Sequence, residues 1–327
     1  MGRKRKSRHK HYRFKGFRSL IRFLLLNVLI FMLTSPFVIL YGPFQNVRNA
    51  VVGAVATSMH RYLLNYFLSP EEIDKILANS RNIVGDISEK LFYFNNSHSA
   101  KIKFTQIKSS RFKGYILEIS DPTRLQVGVS NDLGQSGQTT SEIARQNKAI
   151  AAVNAGGFDD PNGTGTGRLP IGVIIHNGYY IVGENIKGKV DLVGLNQDGI
   201  LVVGKYTVQQ MKEMQIKEGI TFGPPLIING QKQITKGDGG WGIGPRTAIG
   251  QKKDGTILLL VIDGRQPHYS IGATLVDVQN ILFENGAYIA ANLDGGSSAT
   301  MFYQDKVVNK PCDILGERSI PSAFIVK

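Results

Sequence analysis

The 327-residue chain carries 39 Lys+Arg against 25 Asp+Glu, a net charge of +14, and a single cysteine, Cys312. That length holds one large or two ordinary domains, and 42% hydrophobic with 20% charged residues excludes a wholly disordered protein. One cysteine excludes an intramolecular disulfide framework and a multi-cysteine zinc site.

The charge is uneven along the chain. Residues 1–22 hold ten Lys/Arg, Arg48 and Arg61 follow, and the first acidic residue is Glu71. From there to the C-terminus 27 basic residues face 25 acidic ones. A basic tail on a near-neutral body argues against nucleic acid as a partner. Phe23–Val47 carries no charge, and its first part, to Tyr41, is mostly Leu, Ile, Val and Phe. About 20 such residues cross a hydrocarbon core of about 30 Å as a helix, and basic residues ahead of a single span predict a cytoplasmic N-terminus. A cleaved signal peptide is the alternative. Its small-residue site, Ala54-Val55-Ala56, lies too far beyond the apolar run to favour cleavage. The expected organisation is a basic cytoplasmic tail over 1–22, a transmembrane helix over 23–43, a helical stalk over 44–99 and an extracytoplasmic domain over 100–327, anchored in the cell membrane.

Ser69-Pro70-Glu71-Glu72 combines an N-cap, a first-turn Pro and a capping-box Glu, which predicts a helix to about Asn79. From Ala100 the period becomes two. Runs rich in Ile, Val and Tyr recur, among them Ile102–Ile107, Tyr115–Ile119, Ala149–Asn154, Ile257–Ile262 and Tyr288–Leu293. Asn177-Gly178, Asp198-Gly199, Asn229-Gly230 and Asp254-Gly255 are hairpin signals. Helices are expected at Ser141–Asn147, Val208–Glu213 and Thr274–Asn285, the last closed by Gly286. The fold class is α+β: a mostly antiparallel sheet domain with a few helices, preceded by the transmembrane helix.

Four segments place polar and Gly residues directly after, or at the start of, strands that read as buried. The run 151–160 delivers Asn154 to a strand end and continues Ala155-Gly156-Gly157-Phe158-Asp159-Asp160. Arg246 opens a strand of small apolar residues, where a guanidinium needs either a carboxylate or a substrate phosphate. Leu258–Ile262 runs into Asp263-Gly264-Arg265. Tyr288–Leu293 runs into Asp294-Gly295-Gly296-Ser297-Ser298, a turn able to present backbone N–H groups to an oxyanion. Asn154, Arg246, Asp263, Arg265 and Asp294 read together as one site on one sheet. There is no G-x-x-x-x-G-K-[ST], H-E-x-x-H or G-x-S-x-G motif, and Gly163–Gly167 lacks strand-to-helix context and reads as a loop.

Five ordered segments, Asn154–Phe158, Gly223-Pro224-Pro225, Arg246–Gly250, Asp263-Gly264-Arg265 and Asn292–Met301, resemble the phosphodiester glycosidase family from about residue 100 to the C-terminus. In that family a third glycine follows Asp-Gly-Gly, where this chain has Ser297; the difference bears on the substrate more than on the reaction. The resemblance implies a hydrolase that cuts between a sugar's anomeric carbon and a phosphodiester oxygen. It implies catalytic roles for Asp294, Asp263 and Arg246, with the choice of base between the two carboxylates open. Substrate binding falls to Asn154, Gly157, Arg265, Gly295, Gly296 and Ser297. The expected partners are a glycan or sugar-phosphodiester substrate and the membrane, in exopolysaccharide or cell-envelope metabolism. A non-catalytic glycan- or teichoic-acid-binding envelope protein is the alternative. No metal spacing is distinctive, although Asp159, Asp160 and Asp263 could take a divalent cation.

Overall fold

A computed structural model describes residues 10–58, 60–80, 99–160 and 165–327. The chain divides into two compact units, Met1–Arg48 and Asn49–Lys327. The first is dominated by helix α1 (Lys10–Tyr41). Its Phe17–Tyr41 stretch of 25 residues has a mean hydropathy of 2.4, long and apolar enough to cross a membrane. Its apolar side chains are exposed from Phe17 to Met32 and beyond, unlike those of a soluble core helix. The polar side chains inside it are satisfied locally: Asn27 Nδ2 donates to Phe23 O at 2.7 Å and Thr34 Oγ1 to Ile30 O at 2.8 Å. The helix continues through Pro36.

Helices α2 (Gln45–Ala56) and α3 (Pro70–Ser80) follow, separated by a short 3-10 turn. The capping box is formed, with Ser69 N donating to Glu72 at 2.8 Å. The stretch expected as a stalk, 44–99, covers these helices. From Asn49 its described part belongs to the same compact unit as the sheets, and Val52, Leu64 and Ile73 are buried. The remainder, 81–98, lies outside the described residues, as do 1–9 of the basic tail and Gly163-Thr164.

The sheet region begins with β1 (Ile102–Lys108), β2 (Lys113–Ile119) and β3 (Leu125–Val129), then α4 (Thr140–Gln146) and β4 (Ala151–Asn154). Next come β5 (Phe158–Asp159), β6 (Leu169–Pro170), β7 (Ile174–His176), β8 (Tyr179–Val182), β9 (Lys189–Asn196) and β10 (Leu201–Thr207). After α5 (Val208–Glu213) the chain forms β11 (Ile216–Ile220), β12 (Pro225–Ile228), β13 (Gln231–Lys232), β14 (Arg246–Lys252) and β15 (Ile257–Ile262). Helix α6 (Leu275–Glu284) leads to β16 (Ala287–Leu293), β17 (Met301–Tyr303), β18 (Lys306–Val307) and β19 (Ser322–Val326).

Three sheets carry most of these strands, in the orders β1-β2-β15-β14-β16-β12-β13, β10-β9-β11-β7-β8 and β18-β17-β4-β19-β3, with antiparallel pairing between neighbours. The expected α+β, mostly antiparallel class is the observed one. Turn chemistry sets the hairpins: at Asn177-Gly178 and Asn229-Gly230 both residues have positive φ, as a two-residue hairpin turn requires. Strand β15 explains its own unbroken apolar run, because both of its faces are buried. Ile257, Leu259 and Val261 enter the main core with Val153 and Phe324, while Leu258, Leu260 and Ile262 meet Leu275, Val278 and Leu282 of α6. Thr274 caps α6 through a full capping box with Asp277. Strands β8 and β11 and the two-residue strands β5, β6, β13 and β18 escaped the sequence reading; β11 carries charged residues, and its buried Glu218 is held by His176 and the backbone N–H groups of Val127 and Asn177.

Candidate active site

Antiparallel pairing brings the site together. Strand β14 lies between β15 and β16, with Arg246 opposite Ile262 and Thr247 opposite Leu293. The start of β14 therefore sits beside the ends of β15 and β16, from which Asp263 and Asp294 follow. Strand β4 of another sheet delivers Asn154 to the same place. Asn154 Oδ1 accepts from Thr247 Oγ1 at 2.7 Å and from Thr300 N at 3.1 Å, and its Nδ2 donates to Asp294 O. Asp294 N in turn donates to Ala155 O at 3.1 Å.

At this junction lies a pocket of about 70 Å³, lined by Arg246, Arg265, Asp294, Gly295 and Gly296, with Trp241, Ile243 and Gly244 on the preceding loop and Ala54 and Thr57 on or just beyond α2. Of the expected site residues, five share its wall. Asn154 is fully buried and outside the wall, its Oδ1 accepting twice and its Nδ2 donating once to tie strand ends together. Gly157 lies against Phe222, whose ring would be 3.0 Å from an added Cβ, and is not part of the pocket wall. Ser297 Oγ sits 3.9 Å from Cys312 Sγ, beside the wall and not in it.

The two arginines differ in surroundings. Arg246 is 5% exposed; its Nε donates to Ala273 O at 3.0 Å, and its Nη2 to Trp241 O at 2.8 Å and Gly242 O at 2.6 Å. These are neutral acceptors, and among the described residues no carboxylate lies within ion-pair distance of it. Burial, with the nearby Arg265 charge adding to it, lowers its pKa to about 10, so it remains a cation at neutral pH. Arg265 is exposed and adopts a left-handed backbone with φ of 56°, a conformation that costs a branched or long side chain about 1 kcal/mol. Gly296 makes room for its guanidinium: at φ of 60° it favours glycine, and a Cβ there would stand 3.3 Å from Arg265 Nη1.

The two carboxylates also part company. Asp294 is pushed up to about 6, first by burial; the Ser298 hydroxyl, Arg318, the Gly295 N–H and Arg265 work against that rise. Its Oδ2 is buried with no hydrogen-bond partner among the described residues. Asp263 is 1% exposed and raised by burial too, yet each of its oxygens is engaged. Oδ1 accepts from Asn309 Nδ2 at 2.9 Å and Lys310 N at 3.0 Å, and Oδ2 from Tyr269 Oη at 3.1 Å. It lies outside the pocket wall.

The suggested cation site is corrected. Asp159 is exposed on β5, and Asp160 pairs with Arg318 at 2.9 Å and accepts from Gly165 N at 2.6 Å. Among the described residues no three His, Cys, Asp or Glu side chains are grouped to hold a metal ion. Sequence reasoning missed Trp241, Ile243, Ala54 and Thr57. A signal existed for Trp241, the only tryptophan, set in the glycine-rich run 237–244 just ahead of Arg246.

A model of the NAGPA phosphodiester glycosidase family matches residues 147–327. Among curated proteins, the SPbeta prophage-derived uncharacterized protein YomE of Bacillus subtilis is 27% identical over 68% of this chain and 35% of its own length. The N-acetylglucosamine-1-phosphodiester alpha-N-acetylglucosaminidase of Bos taurus is 26% identical over 54% of this chain and 35% of its own. The chain thus spans about a third of the length of these relatives. Among solved structures, the zebrafish N-acetylglucosamine-1-phosphodiester alpha-N-acetylglucosaminidase catalytic domain, auto-inhibited by its pro-peptide, superposes with a TM-score of 0.59 at 25% identity, covering 71% of this chain and 85% of that one.

Proposed function

The chain belongs to the phosphodiester glycosidase family, and from that premise we propose that it hydrolyses a sugar-1-phosphodiester at the anomeric carbon, releasing the sugar and leaving a phosphomonoester. The observation that carries this reading is the pocket's charge: two arginine cations that, among the described residues, have no carboxylate within ion-pair distance share a wall with one carboxyl group whose Oδ2 has no hydrogen-bond partner there. Such a wall has a net positive charge and suits a phosphodiester anion. Nη1 of Arg246 is bonded to none of the described residues, and with the Arg265 guanidinium it holds the phosphate oxygens. Both charges stabilise the phosphomonoester as it departs, so the leaving oxygen needs no separate proton donor.

Asp294 is the base. With its pKa near 6 it is mostly ionised at neutral pH and close enough to it to accept a proton efficiently. It takes a proton from the attacking water as the water oxygen bonds to the anomeric carbon and the bond from that carbon to the phosphate oxygen breaks. The proton then passes to solvent. Asp263, with every oxygen bonded, positions the 309–310 segment and Tyr269 and takes no proton in the reaction.

The finer setting belongs to the same proposal. The basic tail ahead of the apolar helix supports a single-pass anchor in the cell membrane with the N-terminus cytoplasmic and the hydrolase extracytoplasmic, acting on an envelope or exopolysaccharide glycan. N-acetylglucosamine is the sugar in the bovine and zebrafish relatives' names, so the first assay uses its α-1-phosphate methyl diester with the full chain. Release of the free sugar, abolished by Asp294→Asn, is the expected result. Turnover retained in that variant, or none by the parent across a panel of sugar-1-phosphate methyl diesters, overturns the assignment.

A further inference from the structure

The pocket is polar where Arg246, Arg265 and Asp294 meet, but its rim is apolar. Trp241 and Ile243 line it directly, and Ile243 is 37% exposed. Ile271, 49% exposed, sits on the segment whose carbonyl accepts the Arg265 N–H at 3.0 Å. On the Ser297 side, two residues past Cys312, a turn carries Ile314 and Leu315 at 100% and 93% exposure. That turn is built: Gly316 N donates to Asp313 O at 3.1 Å and Leu315 N to Asp313 Oδ1 at 3.1 Å, which hold the two apolar side chains out in water. Two adjacent, fully exposed apolar side chains on a fixed turn, two residues past the cysteine that meets Ser297, are not what a surface facing only water carries.

Basic groups accompany them. Lys310 and Lys113 lie over the Tyr269 ring, 5.1 and 4.1 Å from its centroid, and Lys310 O accepts from Gln266 Nε2 at 2.9 Å, next to Arg265 in the chain. Basic and apolar side chains together match an anionic amphiphile. The same chain carries a helix able to cross a membrane.

We propose that the substrate is a lipid-linked sugar phosphodiester: its phosphate seats between Arg246 and Arg265, and its alkyl chain leaves across Trp241 and Ile243 toward Ile271, Ile314 and Leu315. This rests on the hydrolase reading above for the phosphate, while the rim argument concerns the aglycone alone. The bond cut and the products are those already given, with the lipid phosphate as the phosphomonoester.

Trp241, as the only tryptophan, reports occupancy of the rim without turnover. The full chain in phosphatidylcholine vesicles is mixed with a hexadecyl methyl phosphate brominated along its chain. Brominated phosphatidylcholine at equal bromine content is the control. The phosphodiester should quench Trp241 emission more than the control, and the double variant Ile314→Ser, Leu315→Ser should remove that excess. In parallel, kcat/KM is compared for the hexadecyl and methyl diesters of N-acetylglucosamine-α-1-phosphate. The long-to-short ratio should exceed ten in the parent and fall about tenfold in the double variant, as apolar contact is lost. Equal quenching by probe and control, or a ratio of one while the methyl diester is turned over, overturns the lipid assignment and leaves the hydrolase standing. Excess quenching that needs Ile314 and Leu315, with neither diester hydrolysed, supports the rim and overturns the hydrolase. Quenching that survives the double variant places the alkyl chain elsewhere and also overturns the proposal.

Discussion

Asp263 and Asp294 start from the same design and end in different chemical states. Each follows a buried strand, wholly so for Asp263 and all but Tyr288 for Asp294; each begins an Asp-Gly turn, and burial raises the pKa of each. Around Asp263 the fold supplies Asn309, the Lys310 N–H and Tyr269, so the carboxylate ties two loops together. Around Asp294 it leaves Oδ2 without a partner among the described residues and sets two guanidinium groups along the same wall. A buried carboxylate with all its bonds made is scaffold, whereas one left short of partners is held at a cost that only a ligand or a proton relieves. The contrast favours Asp294 over Asp263 as the proposed base, a choice the sequence left open.

The largest effect that tests this contrast is on turnover. Asp294→Asn should lower kcat by 10²–10⁴ for want of a base, read by release of free sugar. The same change should raise stability at pH 7. A carboxyl group whose pKa is higher folded than unfolded contributes its stabilisation below the unfolded value, and loses it as pH rises through about 6. Removing the ionisable group removes that loss, a gain of about 1–2 kcal/mol once partial exposure is allowed for, measured as a higher urea midpoint at pH 7 that vanishes near pH 4. Asp263→Asn should do the opposite: a loss of about 2–4 kcal/mol, because an amide NH₂ cannot accept from the donors that converge there.

Next in size are the arginines, which repeat the contrast among cations. Arg246→Ala strips the buried carbonyls of Ala273, Trp241 and Gly242 of their donor and should cost about 2–4 kcal/mol along with activity. Arg265→Ala removes an exposed side chain; kcat/KM should drop about 100-fold with the thermal midpoint unmoved. Asn154→Ala should behave as scaffold, costing about 2–3 kcal/mol through the bonds to Thr247, Thr300 and Asp294. The smallest effect is at Gly296→Ala, where a Cβ at φ of 60° costs about 1 kcal/mol and crowds Arg265, raising KM more than it lowers kcat.

Much of this was legible because local chemistry and pairing agree. Apolar runs ending in Asp, an Arg opening a strand, and Asn-Gly turns fix antiparallel neighbours, and antiparallel neighbours must bring a strand start beside two strand ends. Helices α4, α5 and α6 lie within a residue or so of their expected limits, and each opens on a Thr-x-x-Glu/Gln/Asp capping box. What stayed hidden depends on contacts across long stretches of chain. Asn154 reads as a ligand-binding residue until its amide is seen to be spent on Asp294 and Thr300, 140 residues or more away. The small residues Ala50 to Ala56 suggest an interfacial helix or a cleavage site; in the fold, they allow close approach, since a Cβ on Gly242 would meet Ala54 Cβ at 2.7 Å. Ala54 and Thr57 thereby reach the pocket wall, which no spacing in the sequence announces.

The pH dependence of kcat/KM on a sugar-1-phosphodiester tests the assignment of Asp294 most directly. The parent should lose activity below about pH 6 as Asp294 takes up its proton. Asp263→Asn, corrected for the fraction folded, should keep that acid limb, and Asp294→Asn should abolish it together with most of the rate. An acid limb that persists in Asp294→Asn, or one that moves with Asp263→Asn, would contradict the account.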